Sequence, residues 1–292
     1  MKYLKVLFLL ALVSAGAMAQ TPDYSFDVTV SGQGKPMLLI PGLSSHGSVW
    51  DATVARYQDQ YECHVITLPG FAGQPAIDHE DRFLEKMRDQ LLAYLAAQDL
   101  SEVTVVGHSL GGFLSLSLAS TEPDRFTQVV VVDGLPFLAA LQMPGATPES
   151  VEPMAKRMRE QMMAPRPEGY ADMMRGMLGG MVANPEGLEK VVQWTVDSDP
   201  ATVAQANYEL YVNDLREDLS AITAPTLVMA SWIAFKDYGV NHDMIERAYT
   251  AQYSKLKGAE IEITDVGRHF IMYDDPEFFF QHLDAVLKAP RG

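Results

Sequence analysis

A single cysteine, Cys63, in a chain of 292 residues leaves no partner for an intramolecular disulfide, whatever the redox compartment. Basic residues are also scarce. Lys and Arg number 22 against 38 Asp and Glu, the formal net charge is −16, and no basic stripe interrupts that balance. This excludes a surface built to follow a nucleic-acid backbone and disfavours polyanionic partners in general. The seven histidines are scattered, with no HxH, HExxH or CxxC pair, so no metal site is expected. Internal repeats and low-complexity tracts are absent, which argues against a solenoid or a disordered scaffold.

Long apolar runs are missing beyond residue 20. Before it, MKYLKVLFLLALVSAGAMAQ carries Lys2 and Lys5, an apolar stretch from Val6 to Val13, and small residues up to Ala19. That is the layout of a secretory signal cut after Ala19, with an apolar core too short for a retained span. Residues 1–19 are therefore read as a signal peptide. The mature protein is expected to be exported, periplasmic or secreted, with no stable membrane span.

The whole chain is 48% hydrophobic, and what remains beyond the leader is long enough for one large core. FDVTVSGQG suggests a short strand and hairpin, and PMLLIPG a buried strand ended by Pro-Gly. CHVITLPG, VTVVG and FTQVVVVDG are further apolar strands, and Cys63 is expected to be buried and inert in the first of them. Helical periodicity separates the strands, clearest over 80–98, where Phe83, Leu84, Met87, Leu91, Leu92 and Leu95 share a face. Strands apolar on both faces and alternating with helices predict a mostly parallel sheet covered on both sides. From Leu135 to Asp218 several helical segments follow one another without a strand, separated by PGATPE, APRPEG, ANPEG and SDP. Alternation resumes at APTLVMA and closes with a helix near 276–288. The chain thus reads as one α/β body, 20–134 and 219–292, interrupted by a helical cap at 135–218.

Gly107-His108-Ser109-Leu110-Gly111 fits G-x-S-x-G between an apolar strand and a helix-compatible run. Small residues there allow a sharp turn that lifts Ser109 off the sheet edge, with helix N-terminal amides nearby. The plain alternative is a serine that merely caps the helix. As a nucleophile, Ser109 needs a base. His269 in TDVGRHFIMYDD follows the last strand and precedes the closing helix, where it can reach across the sheet edge. His108 is assigned packing or hydrogen bonding. His46 lines the pocket or lies exposed, and His64, His79, His242 and His282 are ordinary core or surface residues. A carboxylate must hold the base in the correct tautomer. Asp237 follows the resumed strand and gives the order Ser, Asp, His; Asp133, ending VVVVD, is the rival.

LLIPGLSSHGSVW, ITLPGFAGQP, VVGHSLGG, and PTLVM with the distant VGRHF together resemble the α/β-hydrolase superfamily, in its capped, lipase- and esterase-like branch. The resemblance runs from about Pro36 to Leu287. It implies a mostly parallel eight-stranded sheet with flanking helices, a helical cap after the sixth strand, and Ser109, Asp237 and His269 as the triad. It also implies an oxyanion hole made by the backbone N–H groups of Leu43 and Leu110. Asp237 lies a few residues later than the family's usual acid, which keeps Asp133 in play.

In the cap, Met154, Met158 and Met162 recur every four residues, as do Met173, Met177 and Met181. They read as faces packed on the body, some of them lining an adaptable acyl pocket. Arg157, Arg159 and Arg166 read as solvated. The expected reaction is hydrolysis of small or medium uncharged carboxylic esters through an acyl-enzyme, with no cofactor or metal. The partner is a small-molecule acyl substrate. A C–C hydrolase, perhydrolase, lactonase or aminopeptidase on the same residues is the enzymatic alternative, and a non-catalytic binding protein on this scaffold the other.

Overall fold

The computed structural model describes residues 24–78 and 82–288, except for the side chains of residues 235, 237 and 238. The expected signal peptide and His79 lie outside the described residues.

The body begins with β1 (Asp27–Gly32), β2 (Lys35–Ile40), α1 (Asp51–Tyr57), β3 (Tyr61–Thr67) and α2 (Phe83–Ala97). β4 (Val103–His108), α3 (Leu110–Thr121) and β5 (Phe126–Val132) follow. Five helices come next: α4 (Ala139–Gln142), α5 (Pro148–Met162), α6 (Tyr170–Leu178), α7 (Pro185–Asp197) and α8 (Pro200–Val212). The chain then returns to the body with β6 (Thr226–Ser231), α9 (His242–Gln252), β7 (Ala259–Thr264), α10 (Ile271–Asp274) and α11 (Pro276–Lys288).

Among the described residues seven strands form one sheet in the order β1-β3-β2-β4-β5-β6-β7, not eight as the resemblance implied. Only β1 is antiparallel, paired with β3; every other pairing is parallel. The expected hairpin between β1 and β2 does not form. Gly34, at φ +117°, passes so close to the chain before β3 that a Cβ there would lie 2.3 Å from the Gln60 carbonyl oxygen. The N–H groups of Gln33 and Lys35 donate to the carbonyls of Gln58 and Gln60. The turn is thereby wrapped around the entry to β3, which separates β1 from β2 in the sheet. With one strand fewer than expected, the inserted helices follow the fifth strand rather than the sixth.

Continuous apolar strands result from cores on both faces. Leu38, Ile40, Val105, Val129 and Val131 pack on one side with α2 and α3. Met37, Leu39, Val106, Val130 and Val132 pack on the other with Trp50 and Phe279. The strand order reverses between β2 and β4, and at such a switch point the loops after the two strands diverge to leave a crevice. The loop after β2 and Ser109 after β4 stand there.

The inserted region owes its helix starts to three separators legible in the sequence. Thr147, Asn184 and Asp199 each precede a proline, and each side chain accepts the N–H three residues on. Phe137, Ala139, Val151, Ala155 and Tyr211 give this region its own core. Two of its ties to the body lie at α2 and at the loop after β3. The buried Glu209 carboxylate of α8 accepts the N–H groups of Phe83 (2.6 Å) and Leu84 (2.7 Å), capping α2, whose own N-cap residue Arg82 makes no side-chain capping bond. Ser198 Oγ accepts Ala72 N–H at 2.8 Å, and Asp199 N–H donates to the Gly70 carbonyl at 2.7 Å. No helix among the described residues is long and apolar enough to cross a membrane.

Candidate active site

Ser109 sits between β4 and α3 at φ 52°, ψ −114°, a backbone state that a non-glycine residue adopts at a cost of about 1–3 kcal/mol. Neighbouring bonds enforce it: Ser109 N–H donates to the Val132 carbonyl (2.9 Å) and its own carbonyl accepts Phe113 N–H (3.1 Å). The side chain makes no capping hydrogen bond to α3, so the plain reading of Ser109 as a helix cap fails. The flanking glycines are needed for close approach. A Cβ on Gly107 would lie 2.1 Å from the Gly111 carbonyl oxygen, and one on Gly111 would lie 2.1 Å from the Ile40 carbonyl oxygen.

His269 lies between β7 and α10, and its Nδ1 is 2.6 Å from Asp133 Oδ2. The described carboxylate that meets the histidine is Asp133, the rival acid from sequence; the side chain of Asp237, the first choice, lies outside the described ones. Asp237 falls in the 3-10 helix Ile233–Tyr238 that follows β6. The reason is local. Asp133 turns out of β5 at φ 46°, with its N–H donating to the Met229 carbonyl at 2.7 Å. Its Oδ1 then accepts Ser231 N–H (3.0 Å) and the Tyr249 hydroxyl (2.9 Å), which leaves Oδ2 for the histidine. The end of β6, where the family's acid is usually near, instead supplies an amide to the carboxylate of the adjacent strand.

His108 brings Ser109 and His269 into one site. It is fully buried, its Nε2 lies 3.0 Å from the His269 carbonyl oxygen, and its ring centroid is 4.6 Å from that of His269. Burial, reinforced by the His269 charge, holds its pKa well below the ordinary value, so the ring is neutral and Nε2 carries the donated hydrogen. Nδ1 is then a buried acceptor without a partner among the described residues. No hydrogen bond joins Ser109 Oγ to His269 among the described residues. Such bonds commonly tighten only when substrate is bound.

The loop after β2 runs beside the serine. A Cβ on Gly42 would lie 3.2 Å from Ser109 Cβ and 2.8 Å from His108 Nδ1. Leu43 is half-buried, and Ser44 at φ 58° turns the loop, closed by Ser45 N–H on the Gly42 carbonyl. Leu110 opens α3, so its N–H has no acceptor within the helix. His46 does not reach this group. Its Nδ1 accepts Ser48 N–H, and its ring lies against Trp194 of α7 at 6.3 Å. Cys63 is buried as expected, with its thiol pushed up to about 11 by desolvation.

The cap departs from expectation on one face. Met154 and Met158 pack against Phe137 and Tyr211, but Met173, Met177 and Met181 are exposed, because α6 has no buried residue and leans mainly on α7. Nor is Arg166 solvated: it donates to the carbonyls of Val196, Thr195 and Ser198, closing the end of α7. Arg159 donates to Gln205 Oε1 and lies over the Tyr208 ring. Sequence reasoning missed Tyr249. At i+4 from Ile245 it looks like any helix-face aromatic, and nothing in the pattern says that its hydroxyl meets a carboxylate.

Residues 37–282 match a family model described as alpha/beta hydrolase family. Over 274 residues the chain is 25% identical to a pimeloyl-[acyl-carrier protein] methyl ester esterase of Nitrosomonas europaea, covering 90% of this chain and 99% of that one. A protein of the same description from Aeromonas salmonicida is 30% identical over 126 residues, 43% of this chain and 48% of that one. Among solved structures, an esterase from Exiguobacterium antarcticum superposes with a TM-score of 0.73 at 19% identity, covering 90% of this chain and 96% of that one. An enol-lactonase from Burkholderia xenovorans gives a TM-score of 0.70 at 18% identity, with the same coverage. A serine strained at a strand-to-helix turn, a histidine paired with a carboxylate across the sheet edge, and a match that spans most of the body and its cap lead to one conclusion: the chain belongs to the alpha/beta hydrolase family.

Proposed function

We propose that the protein is a serine hydrolase of small or medium uncharged carboxylic esters, with Ser109 as nucleophile, His269 as base and Asp133 in place of Asp237 as the acid. The observation that carries this reading is Ser109 itself, held in a strained turn without capping its helix. His269 Nε2 takes the Ser109 proton as Oγ bonds to the acyl carbon, while Asp133 holds Nδ1–H and stabilises the imidazolium. The backbone N–H groups of Leu43 and Leu110 receive the charge on the carbonyl oxygen. Collapse breaks the bond to the alkoxy group, which leaves with the proton from His269. Water, deprotonated by the same nitrogen, then releases the acid and restores the serine. None of these steps calls on a metal or cofactor.

The curated relatives are named for a methyl ester borne on an acyl-carrier protein, a macromolecular partner. Most basic residues of the cap are already engaged within this chain. Arg175 is paired with Glu189 and Asp172, Lys156 with Glu152, Lys190 with Glu186, and Arg216 with Asp214. Arg166 is engaged by backbone carbonyls. A free, neutral ester is therefore the better substrate class. In this reading residues 20–134 and 219–292 are the body, 135–218 is the cap, and the protein acts after export and removal of residues 1–19.

The test is steady-state turnover of p-nitrophenyl esters from acetate to dodecanoate, beside Ser109→Ala. Turnover abolished by the substitution supports the assignment, and the chain-length optimum sizes the pocket. No turnover, with stoichiometric phosphonate labelling of Ser109, redirects the reading to lactones, amides or C–C bonds. A folded protein that does neither is a binding protein on this scaffold.

A further inference from the structure

His269 is held from the cap side as well as from the body. Asp274, the last residue of α10, accepts the N–H groups of Ala183 (2.9 Å) and Asn184 (2.8 Å) on Oδ1. Its Oδ2 accepts Arg268 N–H at 3.0 Å and shares the Ala183 hydrogen. One carboxylate thus joins the segment between α6 and α7 to the residue immediately before His269. The residue immediately after is joined too: Phe270 N–H donates to the Met181 carbonyl at 3.3 Å. The Arg268 guanidinium adds a bond to the Gly179 carbonyl. Packing follows the same seam. A Cβ on Gly187 in α7 would lie 2.7 Å from the Tyr273 ring, and Val182 is buried in the cluster that contains Phe270 and Met272.

From this geometry we infer that Asp274 is a positioning residue, the joint through which the cap sets the place of His269. The inference rests on the catalytic reading of His269 given above. The two chain neighbours of the base are bonded to segment 179–184 or to the carboxylate that holds it. A cap displaced outward therefore draws both ends of that short loop with it. The imidazole is also tethered to Asp133, and its carbonyl to His108. Displacement consequently appears as misalignment toward Ser109, not as free swinging of the loop. Misplacement of a reacting group by about 1 Å costs on the order of 100-fold in rate. Substrates that seat the cap are then favoured in kcat and not only in binding. Asp274 needs no contact with substrate for this, since it acts through the backbone on either side of the base.

Asp274→Asn keeps the shape but offers one acceptor where two serve now, and turns an amide N–H2 toward backbone donors. For this variant the expected result is a fall in kcat of about 10–100-fold on a p-nitrophenyl ester, with KM within about twofold. The rate of phosphonate labelling of Ser109 should fall by a similar factor, and hydrogen exchange across 179–184 should quicken. A folded variant with kcat and labelling rate within about twofold of wild type overturns the proposal, as does a loss seen in KM or thermal stability alone. If Asp274→Asn does not fold, Arg268→Met cuts the neighbouring link to Gly179 and must lower kcat in the same sense; an unchanged kcat there also overturns it. A wild-type protein that labels at Ser109 but hydrolyses no ester sinks the ester reading alone, and the labelling rates of the two variants still decide the joint.

Discussion

The Tyr249 hydroxyl donates to Asp133 Oδ1 at 2.9 Å, on the carboxylate whose other oxygen meets His269. Tyr249 is buried, and desolvation together with the Asp133 charge holds its pKa well above the ordinary phenol value, so the hydroxyl stays a donor. A carboxylate bonded on both oxygens cannot rotate away from the imidazole. Tyr249→Phe should lower kcat about tenfold with KM unchanged, as loss of a hydrogen bond to a charged group would give. Steady-state kinetics check this, and a change under about twofold would mean that the Ser231 amide suffices.

Asparagine scanning separates the two acids. Asp133→Asn should lower kcat by roughly 10³–10⁴-fold through loss of the charge and of the correct tautomer. Asp237→Asn should stay within about threefold. The reverse ranking would return the acid role to Asp237.

His108 predicts how stability depends on pH. Its folded pKa is depressed by burial and by His269, while in the unfolded chain it protonates near the ordinary value of about 6.5. The unfolded state therefore binds the extra proton below that value. Stability supported by the neutral ring is complete above about pH 6.5 and declines as pH falls, by about 1.4 kcal/mol per unit for this one group. Urea unfolding between about pH 7.5 and 5.5 should show a shallower decline for His108→Gln than for wild type. Parallel slopes would contradict a buried neutral His108.

Gly111→Ala places a Cβ 2.1 Å from the Ile40 carbonyl oxygen, a backbone atom in a central strand that cannot yield cheaply. Overpacking of this kind costs about 1–3 kcal/mol or more, which corresponds to a fall in Tm of several degrees. Calorimetry of the variant checks it, and a wild-type Tm would show that α3 can shift away from β2.

The body was legible because its signals are local. Apolar runs such as VTVVG and FTQVVVV become β4 and β5, and the face repeating from Phe83 to Leu95 becomes the buried side of α2. Caps and prolines such as Asn184-Pro185 mark the helix starts of the inserted region. The β1–β2 hairpin was misread because a glycine turn looks alike whether the strands beside it pair with each other or with a third. That choice is made by Gln58 and Gln60, more than twenty residues away.

At the site, the sequence by itself pointed to the serine, through glycine spacing that only a tight strand-to-helix turn requires, and to the histidine, through its place between the last strand and the closing helix. Tertiary structure alone decided which carboxylate meets that histidine. Asp133 and Asp237 each follow a parallel strand and carry the same charge, and only the chain order Ser, Asp, His put Asp237 first. The contact of Asp133 comes from β5 and β6 lying side by side, which puts the Ser231 amide and the α9 phenol around Asp133 and turns its free oxygen to His269. The hold of the cap on the base is equally invisible in one dimension. Asp274 and Ala183 are 91 residues apart, and a carboxylate accepting backbone amides leaves no residue pattern to read.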